Sequence, residues 1–327
     1  MFKGFANVWT PVLPAKRVKA KPVPVTLAGE KLVLFRGKDG EVGALLDACP
    51  HRSVALSLGK VNKDGCLECP FHGWRFDTKG ENTHVPLNPN AKRDMLFATR
   101  FPTRVIGDFV WVYTAPGKTA PVEPQVPDAL TNTSLGRAIV SRTWRAHWTR
   151  VMENMLDSPH LPFVHRTTIG RGMRTNMTEQ SEMLVTWEEQ PFGGRQRSSL
   201  DGGDAQAHLD FYQPNMMALH IPIPNKHFRM HALVVPVDEH HTTLWVVGTR
   251  DFMRSPLVNP FYNLMNGYIA DQDRAVVESS PDGPVPPAGQ ERSVATDRAT
   301  LQFRKYYFER LHDSSARLER AGPVKAA

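Results

Sequence analysis

The sequence predicts an α+β protein: an all-β part at the N-terminus, then a larger part that sets helices beside an antiparallel sheet. Three observations carry this. Short runs rich in β-branched and aromatic residues, separated by glycine turns, fill residues 22–115. A proline-rich stretch follows, with Pro116, Pro121, Pro124 and Pro127. Beyond it, strand-like runs are interspersed with segments of helical spacing.

Taken in order, "KLVLFRG", "VGALLDA" and "FATRFPTRVIGDFVWVYTA" read as strands, with "GKDGE" and "DTKGE" as turns. "APGKTAPVEPQVPDAL" reads as an extended linker and places a boundary near residue 120. "RAIVSRTWRAHW" looks like a strand, and "TRVMENMLDSPH" like a helix stopped by Pro159. Strands return over residues 178–250, among them "AHLDFYQ", "FRMHALVVPV" and "TTLWVVGT". "PFYNLMNGYIADQDRAVVE" spaces Phe261, Leu264, Tyr268 and Val276 as a helix does. "SSPDGPVPPAGQ" is a loop, and "RATLQFRKYYFERLHDSSARLER" closes the chain as a helix. There is no internal repeat.

The 327 residues suffice for one large domain or two ordinary ones, and the 41% apolar fraction supports a sizeable core. No run of about 18 apolar residues is present to span a membrane. The first 25 residues lack a long apolar region and a small-residue cleavage site, so no secretory signal is read and a cytoplasmic location is expected. The cytosol keeps thiols reduced. Three cysteines, an odd number, also argue against a disulfide framework. The formal charge is +7, and its basic residues are scattered apart from Lys16, Arg17, Lys19 and Lys21. That pattern reads as a solvated basic face rather than a nucleic-acid site, with an acidic docking partner as the functional alternative.

All three cysteines fall between Ala48 and Asp77, together with His51 and His72. Zinc is one reading: Cys66 and Cys69 form a C-x-x-C, and Cys49 adds a third thiolate. A redox C-x-x-C opens a helix in a βαβ unit, whereas this one sits among strands. The third reading pairs Cys49 with His51 in "CPH" and Cys69 with His72 in "CPFH". Two thiolates on one iron and two imidazoles on the other make a Rieske [2Fe–2S] centre. Cys66 is then left over as a small apolar residue on the strand entering the second loop.

C-x-H, seventeen residues, then C-x-x-H followed by "GW": with this pattern the sequence resembles the Rieske non-heme iron oxygenase family. Respiratory Rieske proteins carry an extra cysteine in each loop, and "CPHRSVAL" has none. A Rieske ferredoxin needs only the first domain, yet some 200 residues follow here. Among them, "NMLDSPHLPFVH" holds Asn154, Asp157, His160 and His165. Two histidines five apart lie about 140° apart on a regular helix. Pro159 and Pro162 break that helix, so a bend can bring both imidazoles to one metal. Iron(II) that activates O2 takes two histidines and one carboxylate on one face. "YIADQDRAVVES" offers Asp271, Asp273 and Glu278 as the third ligand. The family's pattern of an Asp followed three and five residues later by an aliphatic and a Glu matches Asp273, Val276 and Glu278.

The resemblance covers the chain nearly end to end and implies the following. Residues 1–120 form the Rieske domain, 121–135 a linker, and 136–327 a helix-grip-like domain with the mononuclear iron. The chain is a terminal oxygenase component of the shorter homotrimeric branch, with the vanillate- and dicamba-type O-demethylases and hydroxylases of multi-ring natural products. NAD(P)H electrons reach the cluster through a ferredoxin or flavin reductase. Asp157 is not a ligand but bridges the partner subunit's His72 to His160 or His165. Asn154 matches a polar positioning residue near the iron. One atom of O2 enters a C–H bond of an aromatic or polycyclic molecule and the other leaves as water; at an O- or N-methyl group, formaldehyde is then lost. Cis-dihydroxylation of an aromatic ring is the alternative, and an electron carrier without catalysis a lesser one. For substrate contact the residues themselves offer His231, beside Leu233 and Val235 at a period of two, with Asn215 and Trp245. "QPNMMALHIPIPN" suits an apolar pocket or core packing equally.

Overall fold

In a computed structural model of the chain, residues 2–117, 119–203 and 207–315 are described. The chain divides into two compact units, one holding residues up to Pro124 with the segment from Leu311, the other Gln125–Arg310.

The first unit is built from strands β1 (Trp9–Pro14), β2 (Val23–Leu27), β3 (Glu30–Arg36), β4 (Val42–Leu46), β5 (Lys60–Val61), β6 (Leu67–Glu68), β7 (Arg75–Phe76), β8 (Asn82–His84), β9 (Arg100–Phe101), β10 (Thr103–Ile106) and β11 (Phe109–Tyr113). They form three small antiparallel sheets, β1-β11-β10, β2-β3-β4-β9 and β5-β6-β7-β8. β2 carries Pro24 and lies at a sheet edge, where a missing N–H costs no ladder bond. Ala28 and Gly29, both at positive φ, close the β2–β3 hairpin in two residues, as the twist of paired strands favours. A core of Val33, Phe35, Leu45, Leu56, Leu67 and Phe76 includes Cys49 and Cys69.

After the proline-rich stretch the second unit opens with a short helix, α1 (Asp128–Thr131). It then sets out strand β12 (Gly136–Trp144), helices α2 (Trp148–Leu156), α3 (Leu161–Val164) and α4 (Arg171–Asn176), and strands β13 (Met183–Gln190) and β14 (Gly193–Leu200). Strands β15 (His208–Tyr212), β16 (Met216–His220), β17 (Phe228–Pro236) and β18 (Thr242–Arg250) precede helices α5 (Asn259–Val277) and α6 (Arg298–Arg310). The seven strands make one antiparallel sheet, β12-β18-β17-β16-β15-β14-β13. The fold is therefore α+β, a β-rich unit followed by a sheet carrying helices.

The register separates the two faces of the sheet. Phe211 of β15 packs edge-on against Phe303 of α6. A Cβ on Gly248 of β18 would touch Met230 and Asn266 of α5. Gln196 of β14 reaches Ser158 beyond α2. One face of the sheet therefore carries α2, α5 and α6, and the alternate residues of each strand point the other way.

Three details differ from the sequence reading. Helix α2 ends at Leu156, three residues before Pro159, which cannot continue a helix, and Asp157 is already extended. α6 ends at Arg310, and the rest of the helix expected to Arg320 lies partly outside the described residues. α5 exists, but Phe261, Leu264, Tyr268 and Val276 are exposed. Its buried stripe is Asn266, Gly267, Ala270, Asp273 and Val277. At Gly267 the approach is close: an added Cβ would make the Arg142 guanidinium shift.

Candidate metal centres

The first centre is a pair of matched loops. Cys49 donates its N–H to the Val54 carbonyl at 2.8 Å, and Ser53 donates back to Cys49 at 2.8 Å. Cys69 repeats this with Trp74 at 2.8 Å, and Gly73 donates back at 3.1 Å. The fifth residue of each loop, Ser53 or Gly73, is left-handed at φ +55° and +68°. The local repeat "CPH" and "CPFH" thus becomes a repeat of backbone geometry. Both cysteines are buried, while His51 and His72 are exposed with their rings 4.7 Å apart. His51 stacks flat on Trp74 at 4.6 Å, which accounts for the tryptophan after the second loop.

Burial pushes the Cys49 thiol up to about 12, with Cys69 beside it, although the His51 and Arg52 backbone N–H groups favour the thiolate. Burial, then His72 and Arg52, hold His51 below its ordinary value. Buried sulfurs on one side and a pair of imidazoles on the other suit a cation pair better than solvent. Among the described residues, no three of these four ligand atoms lie within 4.8 Å of one another. That spread fits a binuclear cluster and disfavours one zinc ion. Cys66 stands apart, buried, with the Thr83 hydroxyl 3.5 Å from its sulfur.

The second centre lies beneath the sheet. The break after α2 turns the chain so that His160 begins α3 and His165 ends it. Asp273 comes from the buried stripe of α5. His165 Nε2 lies 3.0 Å and His160 Nε2 3.5 Å from Asp273 Oδ1. The bend therefore brings together residues that a straight helix would hold apart.

The outer nitrogens are already engaged. His160 Nδ1 lies 3.0 Å from Asp157 Oδ2, which also accepts the His160 backbone N–H at 3.0 Å. His165 Nδ1 lies 3.0 Å from Gln272 Oε1. Both acceptors call for a proton on Nδ1 and leave a lone pair on Nε2. Those lone pairs face Asp273 Oδ1, a buried oxygen that no aligned N–H reaches among the described residues. Burial lowers the His165 pKa, but the Asp273 carboxylate and Gln272 more than reverse it, so it is raised. Three electron-rich atoms converge on a point that calls for positive charge, so these residues fit a divalent metal. Asn154, on α2, has a buried Nδ2 with no hydrogen-bond partner among the described residues.

A second cluster, His208, Asp210 and His220, also converges. There Arg195 already holds both oxygens of Asp210, at 2.6 and 3.0 Å. The guanidinium fills the place of a cation, and the group reads as a structural network.

The residues match the Rieske [2Fe-2S] domain over 8–102 and the vanillate O-demethylase oxygenase C-terminal domain over 144–313. The chain belongs to the Rieske oxygenase family. It is 28% identical over 263 residues, 73% of its length, to the oxygenase subunit of phthalate 4,5-dioxygenase from Pseudomonas putida. It is 30% identical over 306 residues, 88% of its length, to methylxanthine N3-demethylase NdmB from Pseudomonas putida. The chain spans 58% of the first relative's length and 82% of the second's. The solved structure of NdmB superposes with a TM-score of 0.75 at 26% identity, covering 92% of this chain and 89% of that one. The cofactors of the family are a Rieske [2Fe–2S] cluster and a mononuclear iron that uses O2. Its electrons come from a reductase.

The structure places the residues put forward for substrate contact as follows. His231 and Trp245 alternate with Ala232 and Val246 and lie on the sheet face away from α2 and α5. His231 is fully buried, 3.3 Å from the Thr249 hydroxyl. Asn215 is fully buried, and its amide donates to the Val234 carbonyl. A period of two assigns residues to a common face but not to the face that the helices cover. Sequence reasoning also missed Gln272 and Thr168. Nothing in "ADQDR" distinguishes a positioning amide from a surface one, and Thr168 is 104 residues away.

Proposed function

We propose that the chain is a terminal oxygenase that takes electrons from a ferredoxin or flavin reductase. With O2 it hydroxylates an aromatic or polycyclic small molecule, or removes an O- or N-methyl group from it. The carrying observation is the convergence of His160 Nε2, His165 Nε2 and Asp273 Oδ1 in the same chain as the paired Cys-His loops. In this reading those three residues hold the mononuclear iron, and Cys49, Cys69, His51 and His72 hold the [2Fe–2S] cluster. When bound, the cluster supplies single electrons and the iron supplies activation of O2.

The chain's own residues then have distinct tasks. Asp157 fixes the His160 tautomer through Oδ2. Its Oδ1 accepts no hydrogen bond among the described residues, which leaves it open to an imidazole N–H from another subunit. This supports a homotrimer in which the partner subunit's His72 meets Asp157. Asn154, whose buried Nδ2 has no hydrogen-bond partner among the described residues, keeps an unused donor for the positioning role. Three cysteines with no disulfide between them suit a reducing compartment such as the cytoplasm. Among the described residues no helix is long and apolar enough to cross a membrane. The name of the phthalate 4,5-dioxygenase relative keeps cis-dihydroxylation as the second reading.

A single-turnover screen tests this. The iron-loaded protein is reduced without oxygen and mixed with methoxylated, N-methylated and unsubstituted aromatic and polycyclic compounds; O2 is then admitted. Gain of one oxygen marks hydroxylation, loss of CH2 marks demethylation, and gain of two oxygens with two hydrogens marks dihydroxylation. Equal product from unreduced protein, or from Asp273→Ala, overturns the oxygenase reading.

A further inference from the structure

The two imidazoles at the iron position are held by unlike acceptors. His160 has the Asp157 carboxylate, and His165 has the Gln272 amide oxygen. Gln272 Oε1 has a second contact, the Thr168 hydroxyl at 3.0 Å. An amide oxygen only accepts, so in this arrangement both partners donate. Thr168 belongs to the turn that closes on His165: the Thr168 and Gly170 N–H groups donate to the His165 carbonyl at 2.9 and 3.0 Å. That turn is tight, since a Cβ on Gly170 would strike the Leu161 carbonyl oxygen.

Gln272 and Asp273 are consecutive on α5, about 100° apart around the helix axis. They bracket the buried His165 ring, the amide at Nδ1 and the carboxylate at Nε2. We propose that Gln272, set by Thr168, is the positioning residue that keeps the proton on His165 Nδ1 and leaves Nε2 free for the iron. This rests on His160, His165 and Asp273 being the iron ligands. Were the amide reversed, its NH2 would face Nδ1 and the ring proton would move to Nε2. There it would bond Asp273 and shut the cation out. A glutamate at position 272 offers only acceptors and cannot do this.

The test is Fe(II) affinity of the full-length protein, measured anaerobically by competition with a chelator, with the Rieske absorption as folding control. Gln272→Leu is expected to bind the mononuclear Fe(II) about 10–100-fold more weakly, and Gln272→Glu within about threefold of wild type. Thr168→Val should fall between them, and Thr168→Ser should match wild type. Cobalt(II) in place of the iron gives a second readout, its ligand-field bands shifting at saturation in Gln272→Leu but not in Gln272→Glu. Wild-type affinity in Gln272→Leu overturns the proposal. So does equal weakening in Gln272→Glu, which would mark Gln272 as packing alone. If Gln272→Leu fails to fold, Thr168→Val decides: weaker binding rescued by Thr168→Ser supports the pair, and unchanged binding refutes it. His165→Ala separates the two layers of the argument. If it also binds iron normally, the ligand assignment has failed; if it loses iron while Gln272→Leu keeps it, only the positioning role has.

Discussion

Replacing Asp157 by Asn separates two tasks that one carboxylate performs. Oδ2 accepts two donors from His160, the backbone N–H and Nδ1–H, each at 3.0 Å. Asparagine retains one carbonyl oxygen, so both contacts can persist without the charge. A hydrogen bond to a charged group is worth about 1.5–3 kcal/mol and a neutral one about 1. The pair then loses roughly 1–4 kcal/mol, and since Asp157 is a quarter exposed the lower end of that range applies. At about 1.4 kcal/mol per decade, iron should bind about tenfold more weakly. The other oxygen is different. In the variant Oδ1 becomes an NH2, which would meet an incoming imidazole N–H donor to donor. Electron delivery should therefore fail beyond the loss of iron affinity. The expected outcome is an unchanged Rieske spectrum, iron binding down about tenfold, and turnover at saturating iron down at least about 100-fold. The assay is single turnover of the reduced, iron-saturated variant. Wild-type turnover there would refute the bridging role and leave Asp157 as a clamp on His160 alone.

Three further predictions follow from separate parts of the molecule. Cys66→Ala should keep the full Rieske absorption and cost about 1 kcal/mol of stability, because Cys66 is buried against the Thr83 hydroxyl and away from both loops; loss of the absorption would restore Cys66 as a ligand. His231→Leu should leave the product pattern unchanged, since the residue lies on the sheet face away from α2 and α5; a shift in the site of oxidation would return it to the pocket. His208 has its pKa lowered to about 4, by burial and then by His220. Folding favours its neutral form, so the stability it permits is complete above about pH 6.5 and falls as pH drops towards 4. Discounted for solvent, the loss is about 1–2 kcal/mol, and His208→Gln should flatten it in urea titrations from pH 7 to 4.5; an unchanged slope would assign the acid sensitivity elsewhere.

The two loops were legible because their chemistry is local. Cys49 and His51, or Cys69 and His72, sit within a few residues of each other, and backbone turns of four or five residues complete the geometry. His160 and His165 were legible for the same reason, with prolines announcing the bend. Asp273 needed a family pattern, since Asp271 is equally acidic and two residues away; in the fold it pairs with Arg142 instead. The exposed side of α5 misled because apolar spacing reports a stripe, not its burial. Phe261 and Leu264 face outwards, while the inner side must admit Arg142 and the sheet at close range. Small and polar residues do that, and they carry no hydrophobic period. The substrate residues meet the same ambiguity in a strand: every second residue shares a face, yet which face meets the helices is decided by contacts dozens of residues away.

The unlike partners of the two histidines follow from desolvation. In the proposed site, two neutral imidazoles and the Asp273 carboxylate would bring one negative charge to a ferrous ion, and Asp157 a second to its edge. A further carboxylate at position 272 would leave the site with excess negative charge. It would also place that charge beside His165, whose side chain is 2% exposed, where an unbalanced ion is most costly. The Asp157 side chain is 25% exposed and can share its charge with water or with a donor from a neighbouring subunit. An amide on the buried ring and a carboxylate on the accessible one is the arrangement that fixes both tautomers without burying a surplus charge. The Gln272→Glu variant should therefore keep iron while losing stability, by more in the iron-free protein than in the loaded one, because only the bound cation offsets the added charge.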